Sequence, residues 1–415
     1  MSDILLITIS GADQSGLTAR ITGILATQEI NILDIGQAVI HDTLSMGMLI
    51  EVPTKSHRSN VVAAVQSCLS DCGLRVRFSD ISSPSYQHWV EAQGRARYII
   101  TLLARKITAD QLAQVTGVVA RHDLNIDSIN RLSGRIPLGK LPALSKACVE
   151  FSVRGALADP SVFRNELLEV ASALDVDLAF QQDTMYRRHR RLVVFDMDST
   201  LIEAEVIDEL AKAAGVGAQV SEITERAMRG EIDFSESFRS RVALLKGLDE
   251  SALEDIASQL KISEGAEHLL STLRLLGYKT AILSGGFTYF ARYLQKKLGI
   301  DHVFANDLDI VGGVVTGRVV GEIVDGARKA VLLRQLADKE GIDLQQVIAV
   351  GDGANDLPML SIAGLGVAFR AKPLVKQSVE QSISTLGLDA ILYLLGLSDR
   401  YQITTLDAAP ERVIG

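Results

Sequence analysis

Three cysteines in 415 residues are too few, and too odd in number, for a disulfide framework. Cys68, Cys72 and Cys148 read instead as reduced thiols of a cytoplasmic chain. Cys68 and Cys72 lie one helical turn apart, yet no second CxxC and no nearby His pair completes a zinc site around them. Any stretch of about eighteen apolar residues is also missing. The opening MSDILLITISG has no basic region followed by an apolar core and a cleavage site. Neither secretion nor membrane spanning is expected. Positive charge is in deficit as well. The 42 Lys and Arg against 51 Asp and Glu give a formal net charge of −9, which argues against nucleic acid and for metal ions or small zwitterions as partners. The one basic run, YRRHRR at 186–191, is short and has no interleaved aromatics, so it reads as solvated linker or inter-domain ion pairs.

What is present is apolar content, 47%, spread over a chain too long for one compact core. Two segments of the first half match at a shift of 94 positions: ITGILATQEINILDI (21–35) and VTGVVARHDLNIDSI (115–129). Each copy begins with an apolar strand (Ile4 to Ile9, Tyr98 to Leu103) and a helix, and a second strand starts near Asn31 or Asn125. A third strand (MGMLIEV, ACVEFSV), an amphipathic helix and a last strand (LRVRFSD, VDLAFQQ) follow. The order β-α-β-β-α-β, twice, is that of a ferredoxin-like α+β unit with helices on one face of an antiparallel sheet. We expect copies at 1–82 and 97–182, joined by a Ser-, Pro- and Gly-containing linker at 83–96.

From Arg191 the pattern changes to short Val/Ile/Leu runs that end in small or acidic residues: RLVVFDMD, KTAILSGG, VIAVGDG and GLGVAF. These predict a parallel sheet with helices on both faces, a Rossmann-like α/β domain spanning 183–415. Residues from about 203 to 263 have helical patterns and no convincing strand, so a helical cap should lie over the strand ends.

Ligands of such a sheet bind beyond the carboxyl ends of its strands, which is where Asp196, Asp198, Ser284 and Asp352 fall. A helix cap would explain any one of them; the set is harder to explain that way. Asp196, Asp198, Asp352 and Asp356 concentrate carboxylates without histidine, which points to a hard divalent cation, Mg2+, and to a phosphate that shares it. Ser284 with Gly285 and Gly286 offers a hydroxyl and approachable N–H groups, and Lys329 a point charge. In the cap, Glu205 and Arg241 suit a zwitterion, one for its ammonium and the other for its carboxylate.

These segments resemble the motifs of the haloacid dehalogenase-like phosphatases: DMDST the first, Ser284 the second, Lys329 the third and GDGANDLPML the fourth. The resemblance implies that Asp196 attacks phosphorus to form an aspartyl-phosphate, while Asp198 protonates the departing alcohol and later activates water. It also implies metal ligation by the side chains of Asp196 and Asp352 and the backbone carbonyl of Asp198, with Asn355 and Asp356 orienting the site. Within that superfamily, DMDSTLIEAEVIDELA is similar to the phosphoserine phosphatases. There, residues matching Glu205 and Arg241 read the amino acid, and residues matching Met228 and Phe234 line the same pocket. The substrate expected is O-phospho-L-serine; the alternative is another phosphorylated amino acid or small alcohol, hydrolysed or transferred through the same intermediate. A non-enzymatic amino-acid-binding regulator would require the aspartates to be structural.

The repeats resemble ACT domains, which pair side by side and bind amino acids between a loop and a helix start. That implies L-serine as a regulatory ligand near Asp13 and Gly16 of the first copy, and a homodimer or higher homo-oligomer formed through the repeats. The matching ARKITADQLAQV of the second copy has no glycine.

Overall fold

The computed structural model describes residues 3–70, 72–136, 139 and 145–401, which fall into two compact units, 1–95 and 96–415.

The first unit runs β1 (Asp3–Ala12), α1 (Leu17–Ala26), β2 (Asn31–Ile40), β3 (Thr43–Val52), α2 (Lys55–Ser70), β4 (Arg75–Ile81) and α3 (Ser83–Ala92). Its antiparallel sheet has the order β2-β3-β1-β4. Period-two patterning sends Leu44, Met46, Met48, Ile50 and Val52 of β3 to one face, where they meet Leu17, Ile21 and Leu25 of α1 and Val61, Val65 and Leu69 of α2. Residues 83–92, read from sequence as linker, form helix α3, in which no residue is buried. The Ser-Pro punctuation is a helix start: Ser82 accepts from Ser85 N and Pro84 occupies the first turn, where a missing N–H costs nothing.

The second unit opens with the other copy: β5 (Arg97–Ala104), α4 (Ala109–Arg121), β6 (Asn125–Arg131), β7 (Ala147–Arg154), α5 (Pro160–Leu174) and β8 (Asp177–Gln182), ordered β6-β7-β5-β8. The repeat extends to backbone detail. The ladder slips between Ile32 and Asp34 in one copy and between Ile126 and Ser128 in the other, and Glu29 and Asp123 both take positive φ. The copies differ in burial. In β5, six consecutive residues from Ile99 to Ala104 are buried. Ile100 and Leu102 face α4 and α5, whereas Leu103, Cys148 and Ala179 share a core with Ile391, Tyr393 and Leu394 near the C-terminus. Position 182 therefore ends a repeat without ending a core.

The remainder comprises β9 (Leu192–Phe195), α6 (Val206–Ala213), α7 (Gly217–Met228), α8 (Phe234–Leu244), α9 (Ser251–Gln259), α10 (Ala266–Leu275), β10 (Lys279–Phe287) and α11 (Thr288–Leu298). After these come β11 (His302–Val311), β12 (Val314–Val320), α12 (Gly326–Glu340), β13 (Val347–Gly351), α13 (Leu357–Ile362), β14 (Leu365–Phe369), α14 (Pro373–Ser378), β15 (Gln381–Ile383) and α15 (Ile391–Leu394). The sheet order is β12-β11-β10-β9-β13-β14-β15, parallel except for β12. Every residue of β9 is buried, as a central parallel strand requires. The order reverses at β9, between β10 and β13, which opens a crevice at its carboxyl end. Helices α6 to α9 form the excursion between β9 and β10, the expected cap. Strands β11, β12 and β15 go beyond the sequence reading. In β11 the apolar residues are broken by Asn306, Asp307 and Asp309, and β15 is only three residues long. Among the described residues, no helix is long and apolar enough to cross a membrane.

Candidate active site

The site starts where β9 ends. Asp196 N donates to Val350 O (2.9 Å), and the chain then leaves the sheet in a wide turn closed by Ile202 N to Met197 O (3.2 Å), with Ser199 at φ +55°. This turn separates the two aspartates. Asp196 Oδ1 accepts from Met197 N (2.7 Å) and Lys329 Nζ (2.9 Å). Asp198 Oδ1 points the other way and accepts from Val206 N (3.0 Å), the first residue of α6, where the helix dipole favours negative charge.

Lys329, fully buried in the first turns of α12, also reaches Asp356 Oδ1 (2.7 Å). Burial alone would lower its pKa, but Asp196 and Asp356 outweigh that and raise it, so it stays an ammonium. Asp356 Oδ2 accepts from Asp352 N (3.1 Å) and Gly353 N (3.0 Å), which closes the turn after β13. Asp352 Oδ1 accepts from Thr200 Oγ1 (3.0 Å). Four carboxylates thus face one ammonium. Burial, then the charge of Asp356, raises Asp196 well above the usual carboxylate range. Burial and Glu205 push Asp198 up to about 8, and burial and Asp356 push Asp352 up to about 7.

That excess of negative charge fits a cation. Ligand atoms of Asp196, Asp352 and Asp356 lie within 4.8 Å of one another. Both oxygens of Asp356 already hold donors, whereas Asp196 and Asp352 each keep one oxygen that no hydrogen bond from a described residue reaches.

At the end of β10, Ser284 is fully buried and its Oγ accepts from Gly286 N (2.8 Å). A Cβ on Gly286 would lie 2.4 Å from Asp198 Oδ2, and one on Gly285 would lie 3.0 Å from Phe234 Cζ. The sequence reading missed Asn306. This buried side chain donates to Gly285 O (2.8 Å) and accepts from Val324 N (2.8 Å), which fixes the Ser284 loop against the segment that leads to Lys329. The break in the apolar run of β11 at Asn306 and Asp307 was the available signal.

The cap brings in Glu205, exposed and accepting from Ser199 Oγ (2.8 Å), which lines a 460 Å³ cavity together with Asp208 and Thr224. Arg241 is half-buried on α8 and reaches Thr224 Oγ1 at 3.5 Å. Burial lowers its pKa, opposed by the charges of Asp208, Glu205 and Asp198. Phe234 opens α8 and stacks on Phe238 at 5.9 Å between ring centroids. Met228 ends α7, and its side chain lies outside what is described. Asn355 is half-buried, with its backbone oxygen packed against Gly326. In the first unit, Asp13 is exposed and Gly16 caps α1 at φ +82°, a conformation that favours glycine. The second copy has Thr108 at its cap, which exchanges hydrogen bonds with Gln111 and so occupies N–H groups that a ligand would need.

Residues 190–364 match the haloacid dehalogenase-like hydrolase family, and residues 3–79 and 96–181 each match the ACT domain. The chain is 41% identical to a phosphoserine phosphatase of Streptomyces coelicolor, covering 98% of this chain and 95% of that one. It is 39% identical to a phosphoserine phosphatase of Mycobacterium tuberculosis, with coverage of 97% and 95%. A solved structure of a probable phosphoserine phosphatase from Vibrio cholerae superposes with a TM-score of 0.59 at 36% identity, covering 74% of this chain and 88% of that one. With about 40% identity over nearly the whole length of both chains, the chain belongs to the phosphoserine phosphatase family of haloacid dehalogenase-like hydrolases that carry two ACT domains.

Proposed function

We propose that the chain hydrolyses O-phospho-L-serine to L-serine and phosphate, the closing step of a serine biosynthesis carried out in the cytoplasm. The observation that carries this reading is the division of the two aspartates: Asp196 held by Lys329, Asp198 held by the first amide of the cap. Glu205 takes the substrate ammonium and Arg241 its carboxylate, with Phe234 and Met228 as apolar walls. Ser284, the Gly285 amide, Asn355 and Lys329 hold the phosphoryl oxygens.

Asp196 attacks phosphorus in line, the P–O bond to serine breaks, and Asp198, protonated on arrival, gives its proton to the serine oxygen. Its conjugate base then takes a proton from water as that water attacks the aspartyl-phosphate, which releases phosphate and restores both groups. Burial and the neighbouring Glu205 favour the protonated form of Asp198, whereas the Lys329 ammonium on Asp196 Oδ1 favours that group's anion. Asp196, Asp352 and the Asp198 carbonyl would hold Mg2+, which would neutralise charge on the transferred group. L-Serine as an effector at Asp13 and Gly16 of the first ACT domain, and a homo-oligomer formed through these domains, belong to the same reading.

Phosphate release from phosphoserine, and from a panel of other phosphate esters, tests it with and without Mg2+ and added L-serine. Turnover should need the metal, favour phosphoserine and respond to serine. Asp196→Asn should abolish it, and retained turnover in that variant removes Asp196 as nucleophile.

A further inference from the structure

The cap joins the sheet domain through two chain segments that run side by side. Glu203 N donates to Lys261 O (2.9 Å), Ile202 bridges Ile262, and Ser263 N donates to Leu201 O (3.0 Å). Each segment carries a carboxylate at this hinge: Glu203 on the way out and Glu264 on the way back. One guanidinium serves both. Arg370 Nη2 lies 2.8 Å from Glu264 Oε2 and Nη1 lies 3.4 Å from Glu203 Oε1, while Lys261 holds the other Glu203 oxygen.

Arg370 itself is unusual. It follows β14 at φ +46°, a left-handed conformation that non-glycine residues rarely adopt. Its N–H bonds Ile383 O (2.7 Å) and its guanidinium lies over the Phe369 ring at 5.2 Å.

The free side of Glu264 is closed by the second ACT domain. Arg105 makes a bidentate pair with it, Nη1 to Oε1 at 2.8 Å and Nη2 to Oε2 at 2.9 Å. Arg105 lies in the loop between β5 and α4, the counterpart of the loop that presents Asp13 and Gly16 in the first copy. A lone ion pair at this exposure would do little, but a planar fork on a carboxylate already shared with a second arginine fixes geometry as well as charge. Only Ala204 separates Glu203 from Glu205, so what holds the hinge also sets where the cap enters the site.

We propose that Glu264 and Arg370 are positioning residues that clamp the cap hinge and thereby place Glu205 and Arg241 over the substrate, and that Arg105 makes the second ACT domain part of this clamp. The kinetic arm rests on the function proposed above, because it compares an ester that uses the cap residues with one that does not.

The test uses the full chain with Arg105→Met, Glu264→Gln, Arg370→Met and Arg370→Lys. For phosphoserine, the first three should raise KM by about five- to tenfold, the size of losing one or two charge-assisted contacts, with kcat changed less. For p-nitrophenyl phosphate, which lacks the amino-acid groups, kcat/KM should stay within about twofold of the parent because the groups at phosphorus are untouched. Arg370→Lys should recover part of the loss. Amide exchange at Glu203 and Ser263, whose N–H groups cross the hinge, should quicken in Arg105→Met. Equal losses on both esters, or unchanged hinge exchange, would overturn the clamp. A parent chain that cleaves p-nitrophenyl phosphate but leaves phosphoserine intact would overturn the proposed function instead, and hinge exchange would then decide the clamp alone.

Discussion

At Gly286 a single hydrogen is what allows the site to exist. A Cβ there would stand 2.4 Å from Asp198 Oδ2 and 2.7 Å from Met197 Cε; the Met197 methyl can swing aside, but Asp198 can yield only by disturbing its hydrogen bond from Val206 N. Gly286→Ala should therefore move the carboxyl expected to handle the proton, and kcat should fall by about 10²-fold or more, the usual cost of an ångström-scale misplacement. Circular dichroism and the melting temperature should change little by comparison; an active variant would show that Asp198 need not stay where it is. The glycine was legible as part of SGG, but its reason was not. Sequence gives residue types at the strand ends, whereas the contact between Gly286 and Asp198 arises from folding two loops 88 positions apart onto one crevice. Asn306 was hidden for the same reason: its partners, Gly285 O and Val324 N, belong to different loops.

Among the elements, the central strands and both copies of the β-α-β-β-α-β unit were readable because burial imposes a period on them. The strand edges were not. β8 closes one side of the second repeat, and across from it Gln381 of β15 presents a side-chain amide that accepts from Phe180 N (2.9 Å) and donates to Phe180 O. Asp177, at the start of β8, takes Ser384 N (2.9 Å) and Thr385 N (2.7 Å) on one oxygen. Its burial raises its pKa, opposed by those two N–H groups. For an acid, a raised folded pKa means that the fold favours the protonated form. The stability that this group contributes is thus full below its unfolded value of about 3.9 and is lost as pH rises through the higher folded value. Asp177→Asn keeps an acceptor oxygen and removes the charge. It should be at least as stable as the parent at pH 7 and lose its advantage toward pH 4, as read by denaturant unfolding of both proteins at the two pH values. A variant that is less stable at pH 7 and gains relative to the parent on acidification would reverse the sign and refute the assignment.

At the scale of the whole chain, the two ACT copies, matched in sequence and in register, differ in what their sheets lean on. In the first, the buried residues of the sheet form one cluster with α1 and α2. In the second, Leu103, Leu132, Cys148 and Ala179 belong to the core of the catalytic domain. The run YIITLLA of β5, apolar but for Thr101, was the sequence trace of a strand buried on both faces, and the first copy has only a partial counterpart. The basic run at 186–191 falls into place here too. Arg187 is buried and paired with Glu150 of β7, and Arg190 donates to Gln345 O. Cutting the chain at 183 would strip Arg187 of its carboxylate and expose Tyr393, Leu394 and the Gln381 amide. Losing the buried pair and leaving that apolar surface in water takes contacts away from a fold held by only about 5–15 kcal/mol. Residues 96–415 should therefore purify as a folded phosphatase, while 183–415 should aggregate or melt far lower, as read by size-exclusion chromatography and thermal unfolding. If 183–415 were as stable and as active as 96–415, the second repeat would be an appendage, and the core it shares with the catalytic domain would carry no weight in folding.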